Sequence, residues 1–220
     1  MGKDSEFIKK SQDWFLHSLK HEYSYHFKWL GLPIIQFPTD IIALQELIWK
    51  IKPDIIIETG IARGGSLVFH ASLLELIGKG KVIGIDVDIR KHNRKAIEKH
   101  PMFKRIIMLE GSSISKNIVN QVKKLISDKK SILVILDSNH THNHVLKELQ
   151  NYSQFVSKGS YIVVFDTVVD EMPEDYFKEK PWNKNNNPKT AVLKFLESNT
   201  KFIIDNSIGK KLMITSAPGG

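Results

Sequence analysis

Residues 54–66 read DIIIETGIARGGS, and this stretch is the strongest structural signal in the chain. A β-branched apolar run ends in the carboxylate Glu58, a glycine-containing loop follows, and a helical pattern begins near Ser66. That order is typical of a buried parallel strand that leads through a tight turn into a helix N-terminus. Gly60 and Gly64 suit such a turn, because glycine allows positive φ angles and lets a ligand approach the backbone closely. The stretch therefore predicts an α/β fold with a ligand-binding loop.

The spacing of this loop excludes two common phosphate-binding motifs. A P-loop needs a Gly-Lys-Ser or Gly-Lys-Thr sequence, and a dinucleotide-binding loop needs the spacing G-x-G-x-x-G. Neither follows the strand here. The pattern Glu58-x-Gly60-x-x-x-Gly64 instead resembles the first motif of methyltransferases that depend on S-adenosylmethionine. The resemblance implies that a strand-end acid and the loop hold the methionine part of that cofactor, through Glu58, Gly60, Ala62, Gly64 and Ser66.

Strand and helix signals alternate along most of the chain. Apolar strand candidates occur at residues 54–58, 81–86, 105–110, 131–137 and 161–166. Helical patterns follow them at about 66–78, 90–99, 114–127 and 141–157. Parallel strands need such helical crossovers, so the alternation predicts a doubly wound sheet.

The C-terminal part of the sequence predicts two further strands. Residues 201–205 and 211–215 have strand character, and the short polar connection between them is typical of a β-hairpin. We therefore expect a Rossmann-like methyltransferase fold, with a mostly parallel seven-stranded sheet and an antiparallel C-terminal hairpin.

The N-terminal part is expected to be helical. Residues 1–50 form a predicted helical lead-in, and residues 51–220 form the predicted S-adenosylmethionine-binding methyltransferase domain. Thr39 or Asp40 is expected to cap a helix that Pro53 ends.

Composition limits the class of protein. The 220 residues, 41% of them hydrophobic, suffice for an α/β domain with a complete core. The absence of cysteine excludes disulfides and thiolate metal sites, and we expect a cytoplasmic protein without a membrane span. The net charge of +8 comes from interspersed lysines without interleaved aromatic residues, so no nucleic acid partner is expected. We also expect a homo-oligomer, with the N-terminal helices as contacts between subunits.

Polar residues follow each of the five central strand candidates. In open α/β sheets, ligands bind beyond the carboxyl ends of the strands, so these positions are candidates for a site. Asp86 is placed to accept hydrogen bonds from both ribose hydroxyls of a nucleoside, and Ser112 and Ser113 are placed to border an adenine. The alternative for all three residues is that they cap the next helix.

The sequence Asp137-x-x-His140-x-His142-x-His144 is a second chemical signal. Asp137 and Asp166 end two strands that are expected to be neighbours, and carboxylates without thiols favour Mg²⁺. Three closely spaced histidines leave zinc or iron as alternatives. His140 is a candidate general base, because an imidazole with a pKa of ~6.5 is neutral at working pH and can accept a hydroxyl proton.

The order and spacing of these motifs resemble one family from about Trp29 to Gly220. This is the cephalosporin hydroxylase family, which includes rhamnosyl and macrolide O-methyltransferases. The matching segments are Pro38-Thr39-Asp40, Glu58 through Ser66, Gly84-Ile85-Asp86, Glu110 through Ser113, Asp137 through Val145, Gly159-Ser160-Tyr161, Asp166-Thr167 and Pro218-Gly219-Gly220.

The resemblance implies a class I methyltransferase that uses S-adenosylmethionine and, commonly, Mg²⁺. It assigns Asp137 and Asp166 to the metal ion, Asp137 also to the cofactor site, and His140 to the general base. One position departs from the family pattern, which has Glu-Asp where this chain has Phe165-Asp166. The loss of one carboxylate is expected to weaken Mg²⁺ binding unless Asn139 or Asp170 replaces it.

These observations predict an S-adenosylmethionine-dependent O-methyltransferase that acts on a hydroxyl of a sugar or a related small molecule. Two alternatives stay open on the sequence. One is an Fe(II)-dependent hydroxylase, in which histidines and a carboxylate would bind the iron. The other is a non-catalytic cofactor-binding protein of the same fold, which would follow from the loss of the glutamate at position 165.

Overall fold

The computed structural model describes residues 2–220, apart from the side chain of Asp175. Met1, at the start of the predicted lead-in, lies outside the described residues. The strands are β1 (Lys28–Trp29), β2 (Leu32–Pro33), β3 (Ile55–Thr59), β4 (Lys81–Asp86), β5 (Ile106–Glu110), β6 (Ile132–Leu136) and β7 (Ile162–Val164). Strands β1 and β2 form a small antiparallel pair, and the other five form a parallel sheet with the strand order β5-β4-β3-β6-β7.

Eight α-helices are found within residues 2–220. They are α1 (Ser5–Leu19), α2 (Pro38–Ile51), α3 (Gly65–Ile77), α4 (Lys91–Glu98), α5 (Lys116–Leu125), α6 (His142–Tyr152), α7 (Pro188–Ser198) and α8 (Asn206–Leu212). No helix in this range combines the length and apolar character needed to cross a membrane.

The hydrophobic core lies on both faces of the sheet. Ile56, Leu133 and Ile135 pack on one face against residues of α2 and α3. Ile57 and Val134 pack on the other face against α5, α6 and α7. Every residue of β3 and β6 is buried, because helices cover both faces of a parallel sheet. The predicted α/β class and parallel sheet are therefore confirmed.

The predicted C-terminal hairpin is wrong, and the sheet has five strands rather than seven. Asp205 accepts a hydrogen bond from the backbone N–H of Ser207 at 3.0 Å and thereby caps α8. The connection between the two predicted strands is consequently helical, and Lys211 lies in the last turn of that helix. Ile203, in the first predicted strand, is 90% exposed. The local cap thus favours a helix over the predicted connection and the start of the second predicted strand.

The predicted cap of α2 is also wrong. The N-cap residue is Phe37, which makes no side-chain capping bond, and Pro38 opens the helix. The Thr39 hydroxyl donates to the carbonyl of Ile214 at 2.6 Å. The buried Asp40 carboxylate accepts hydrogen bonds from the backbone and hydroxyl of Ser216 at 2.9 and 3.0 Å. Both side chains therefore tie α2 to the C-terminal segment. The proposed division of the chain at residue 50 stays a prediction.

Candidate active site

The loop between β3 and α3 contacts the segment that follows β6. Gly60 and Gly64 have φ angles of 91° and 85°, and Ala62 also has a positive φ of 45°. A Cβ atom on Gly60 would lie 2.0 Å from the carbonyl oxygen of Asp137, so a side chain there would clash with the backbone. The glycine therefore permits a direct contact between the loop and the first residue after β6.

Asp86 binds this glycine loop through its side chain. Its Oδ2 atom accepts hydrogen bonds from the backbone N–H groups of Ile61 at 2.8 Å and Ala62 at 3.2 Å. Its Oδ1 atom accepts from the N–H of Asp88 at 3.2 Å. The alternative that Asp86 caps α4 is wrong, because the N-cap residue is Arg90 and it makes no side-chain capping bond. Sequence reasoning missed the anchoring role, which depends on the pairing of β3 with β4. The ribose contact of Asp86 stays a prediction.

Glu58 lies beneath the glycine loop and is fully buried. The His70 Nε2 atom, on α3, is 3.5 Å from the Glu58 Oε1 atom, and both side chains are 0% exposed. Neither side chain makes a hydrogen bond within the described residues. Sequence reasoning did not single out His70, although a histidine inside the apolar helix α3 is a signal that could have found it.

Ser112 and Ser113 follow β5, but neither caps α5, whose N-cap is Ser115. The alternative that they cap this helix is therefore wrong. Ser113 is buried, and its Oγ lies 3.1 Å from the Nε2 of His144. The Tyr152 hydroxyl donates to the carbonyl of Ser113 at 2.7 Å. Residues of α6 thus hold the loop in which the adenine-bordering serines are predicted.

Asp137, His140 and Asp166 form a cluster that could hold a metal ion. One ligand atom of each residue lies within 4.8 Å of the others. The Nδ1 atom of His140 is 3.1 Å from Asp166 Oδ2. The two carboxylates are hard oxygen donors that fit Mg²⁺ or a similar divalent ion, whereas the imidazole is a borderline nitrogen donor. The structure thus brings together the three residues that sequence reasoning assigned to the metal and to the base.

The three histidines of the motif do not converge. Helix α6 begins only at His142, so His140 lies in the loop before it. His142 Nδ1 is 2.8 Å from the hydroxyl of Thr190, on α7, whereas His144 lies beside Ser113. The structure therefore does not form the three-histidine zinc or iron site that was left open.

The electrostatics of the cluster favour a bound cation. Burial, followed by the negative charges of Asp166 and Glu58, raises the pKa of Asp137 well above its usual range. A nearby positive charge would reverse this effect by stabilising the carboxylate. No protein cation within the described residues forms an ion pair with Asp137.

The two candidates to replace the carboxylate lost at position 165, Asn139 and Asp170, both make other hydrogen bonds. Phe165 is buried in the core cluster on the α2–α3 face. The amide oxygen of Asn139 accepts hydrogen bonds from the backbone N–H and hydroxyl of Thr141 at 2.9 and 2.6 Å. Asp170 Oδ1 accepts from the Asn187 amide at 3.1 Å. The metal cluster therefore has two carboxylates where the family pattern has three.

The cluster and the glycine loop face the same cavity. Its volume is about 590 Å³, and its lining includes residues 60–66, Gln36, Asp137, His140 and Asp166. The ring of Trp182, from the segment before α7, meets the His140 ring edge to face with centroids 4.7 Å apart. A volume of this order is typical of small-molecule sites.

Comparison with protein-family models gives a match over nearly the whole chain. The model described as "Rhamnosyl O-methyltransferase/CmcI" matches residues 21–220. This chain belongs to that family. The predicted family resemblance is confirmed. The family's rhamnosyl O-methyltransferase from Mycobacterium tuberculosis (strain H37Rv) is 31% identical over 150 residues, which are 66% of this chain and 58% of that protein. The rhamnosyl O-methyltransferase from Mycobacterium leprae is 28% identical over 147 residues, 66% of this chain and 62% of that protein.

The matched segment thus spans about three fifths of the length of these relatives. Solved structures support the fold. An O-methyltransferase from Bacillus cereus in complex with SAH has a TM-score of 0.54 at 14% identity, over 88% of this chain and 78% of that chain. MycE, a methyltransferase of the mycinamycin biosynthetic pathway, in complex with Mg, SAH and mycinamycin VI, has a TM-score of 0.53 at 15% identity, over 83% of this chain and 45% of that chain. At these identities the similarity establishes the fold class alone.

Proposed function

We propose that this chain is an S-adenosylmethionine-dependent O-methyltransferase that acts on a hydroxyl group of a sugar or a related small molecule. The observation that carries the proposal is that the glycine loop and the Asp137–His140–Asp166 cluster share one cavity. A methyl donor and a deprotonating group must be next to each other for methyl transfer to oxygen. Relatives named as rhamnosyl O-methyltransferases support the sugar as acceptor class.

The cofactor site would extend along the edge of the sheet from β3 to β5. The glycine loop follows β3, Asp86 ends β4, and Ser112 and Ser113 follow β5, and these three strands are consecutive neighbours. Gly60, Ala62, Gly64 and Ser66 would contact the methionine part of S-adenosylmethionine, together with the N-terminus of α3. Glu58, which is buried beneath the loop, would help to hold the methionine part of the cofactor. Asp86 would accept hydrogen bonds from the ribose hydroxyls, and Ser112 and Ser113 would border the adenine. The Bacillus cereus O-methyltransferase was solved with SAH, which supports this class of cofactor.

His140 would act as the general base. Its Nδ1 atom faces the Asp166 carboxylate, which leaves Nε2 to accept the proton of the acceptor hydroxyl. The Asp166 carboxylate would orient the ring and stabilise the imidazolium that forms. The ring of Trp182 packs edge to face against the His140 ring and would limit its rotation. S-Adenosylmethionine, when bound, would supply the methyl group to the acceptor oxygen, with cleavage of its sulfur–methyl bond and S-adenosylhomocysteine as the leaving group.

Asp137 and Asp166 would hold a divalent cation, with Mg²⁺ as the best fit to their oxygen atoms. When bound, such an ion lowers the pKa of a coordinated hydroxyl group. Asp137 also contacts the glycine loop through its backbone, so it would border both the metal ion and the cofactor. MycE, solved with Mg and SAH, supports the presence of both in a protein of this fold.

The experiment that tests this function is a methyl-transfer assay. Purified protein is incubated with S-adenosylmethionine, with Mg²⁺ or a chelator, and with a panel of rhamnosides, other glycosides and macrolides. We expect S-adenosylhomocysteine to form only with an acceptor and the product to gain the mass of one methylene unit. Oxygen consumption with acceptor and iron, without methylated product, would contradict the proposal in favour of a hydroxylase. Cofactor binding without transfer to any acceptor would favour a non-catalytic protein.

A further inference from the structure

Gln36 has a buried side chain beside the Asp137 carboxylate. The residue is 5% exposed, and its amide partly opposes the rise in the pKa of Asp137. Neither its Nε2 atom nor its Oε1 atom makes a well-formed hydrogen bond within the described residues. Buried amide groups are almost always paired, because leaving both the donors and the acceptor unpaired is unfavourable. An unpaired amide in a cavity that binds a ligand is therefore explained if the ligand provides the partners.

The segment that carries Gln36 lies directly against the glycine loop. A Cβ atom on Gly65 would lie 2.2 Å from the carbonyl oxygen of Pro33, so these two backbones are in close contact. The segment is fixed at its start, because the N–H of Ile34 donates to the carbonyl of Phe27 at 3.0 Å. Gln36 lines the same cavity as the glycine loop and the Asp137 side chain. Its amide is thus held over the loop and beside an acidic group.

Two features of this position indicate the chemistry of the partner. The first residues of α3 have free backbone N–H groups that favour a carboxylate. The Asp137 carboxylate, which lies beside the amide, favours a cation. A ligand with an ammonium group and a carboxylate group on one carbon matches both environments. The amide matches it as well, since Nε2 donates to a carboxylate and Oε1 accepts from an ammonium group.

We infer that Gln36 binds the α-amino and α-carboxylate groups of the methionine end of S-adenosylmethionine. This inference rests on the proposed function, because it takes the cofactor of that proposal as the ligand. It adds a binding residue from the segment before α2, which the strand-end positions of the sheet do not include. It also gives the segment 33–36 a role, namely to close the cavity over the methionine end of the cofactor.

The test uses two ligands that differ only at this end. S-Adenosylhomocysteine has the amino and carboxylate groups, whereas 5′-methylthioadenosine has the adenosine and thioether without them. Their binding is measured by calorimetry with the full chain, for the wild type and for Gln36→Leu. We expect Gln36→Leu to bind S-adenosylhomocysteine about tenfold more weakly and 5′-methylthioadenosine as the wild type does, because only the former loses hydrogen bonds.

A second variant and a control complete the design. Gln36→Asn keeps the amide but shortens its reach, so it should also lose affinity for S-adenosylhomocysteine alone, and it covers the case in which Gln36→Leu does not fold. Gln154→Leu, on the exposed surface after α6, should change neither affinity. Unchanged binding of S-adenosylhomocysteine by both Gln36 variants would overturn the inference, and so would an equal loss for both ligands. A wild-type protein that binds neither ligand would instead overturn the proposed function, and the inference with it.

Discussion

His140 and Asp166 form the pair on which the proposed proton transfer depends. The imidazole lies between the Asp166 carboxylate at 3.1 Å and the ring of Trp182, so its orientation is fixed from two sides. Neither contact was evident from the sequence, which predicted only that His140 precedes a helix at about 141–157. The structure puts it in the loop before α6, where it reaches the carboxyl ends of β6 and β7.

The variant His140→Ala tests the role of this histidine. We expect turnover to fall by about 10²–10⁴-fold, which is the usual contribution of a general base, while affinity for S-adenosylhomocysteine is kept. Methyl transfer and calorimetry measure the two quantities. The matched control is His142→Ala, since His142 faces Thr190 outside the cluster. Turnover in His140→Ala as high as in the control would contradict the base role.

Substitution of Phe165 tests whether this edge of the sheet binds a metal ion. Replacing Phe165 with glutamate would place a third carboxylate beside Asp166, and we expect Mg²⁺ to bind more tightly because the site gains negative charge. The protein should also lose stability, by about 3 kcal/mol or more, since Phe165 is 4% exposed in the core. Calorimetry with Mg²⁺ and urea unfolding measure the two effects.

The control for this substitution is Phe165→Gln, which has nearly the same shape as glutamate but no charge. It should lose stability without a gain in Mg²⁺ affinity. Equal Mg²⁺ affinity of the two variants would show that position 165 does not face the ion and would contradict the assignment of this edge of the sheet to a metal.

Helix α2 and the C-terminal segment are joined through a buried acid, which makes their connection sensitive to pH. Burial raises the pKa of Asp40 from 3.8 to about 6, although hydrogen bonds from Ser216 and Thr215 partly oppose the shift. The folded protein therefore binds a proton more strongly than the unfolded chain between about pH 4 and pH 6. Asp40 thus makes the free energy of unfolding fall as the pH rises through this range, by up to about 3 kcal/mol in total.

Asp40→Asn removes this titration but keeps a polar side chain of similar size. The free energy of unfolding of the variant should rise relative to that of the wild type between pH 4 and pH 7, because only the wild type loses stability through Asp40. Urea unfolding of both proteins across that range measures the difference, and the other titrating groups cancel because both proteins contain them. A difference that does not change with pH would show that Asp40 has an ordinary pKa.

The elements of the central sheet were predictable because each depends on local signals. The β-branched strands, their helical crossovers and the glycine loop follow from hydrophobic period and turn residues. The hairpin at residues 201–215 was not predicted correctly, because the capping bond from Asp205 favours a helix in the connection. A short local cap of this kind is difficult to weigh against strand propensity from sequence alone.

The candidate site was predictable in its residues but not in its contacts. Asp137, His140 and Asp166 were found because functional groups gather at the carboxyl ends of strands. Three features of the site depend on residues far apart in sequence. They are the anchoring of the glycine loop by Asp86, the burial of His70 beside Glu58 and the buried amide of Gln36. Such contacts follow from tertiary packing, which a single sequence does not specify.

The site lies at the edge of the sheet where the strand order reverses, and this reversal separates the site into two halves. On one side, β3, β4 and β5 carry the residues proposed for the cofactor, and on the other, β6 and β7 carry those proposed for the metal ion and the base. The contact between Gly60 and the backbone of Asp137 joins the two halves. In an open α/β sheet, the crevice at this reversal is where ligands bind. The methyl donor and the acceptor would therefore meet between β3 and β6.

The most direct test of this account is a calorimetric titration of the purified protein with S-adenosylmethionine, with and without Mg²⁺. We expect micromolar binding of one cofactor per chain, and tighter binding or an added heat of binding when Mg²⁺ is present. Equal affinity for S-adenosylmethionine with and without Mg²⁺ would argue against a bound metal ion but would still support a cofactor site. No binding of S-adenosylmethionine under either condition would contradict the assignment of the glycine loop and its neighbouring strand ends to a cofactor site.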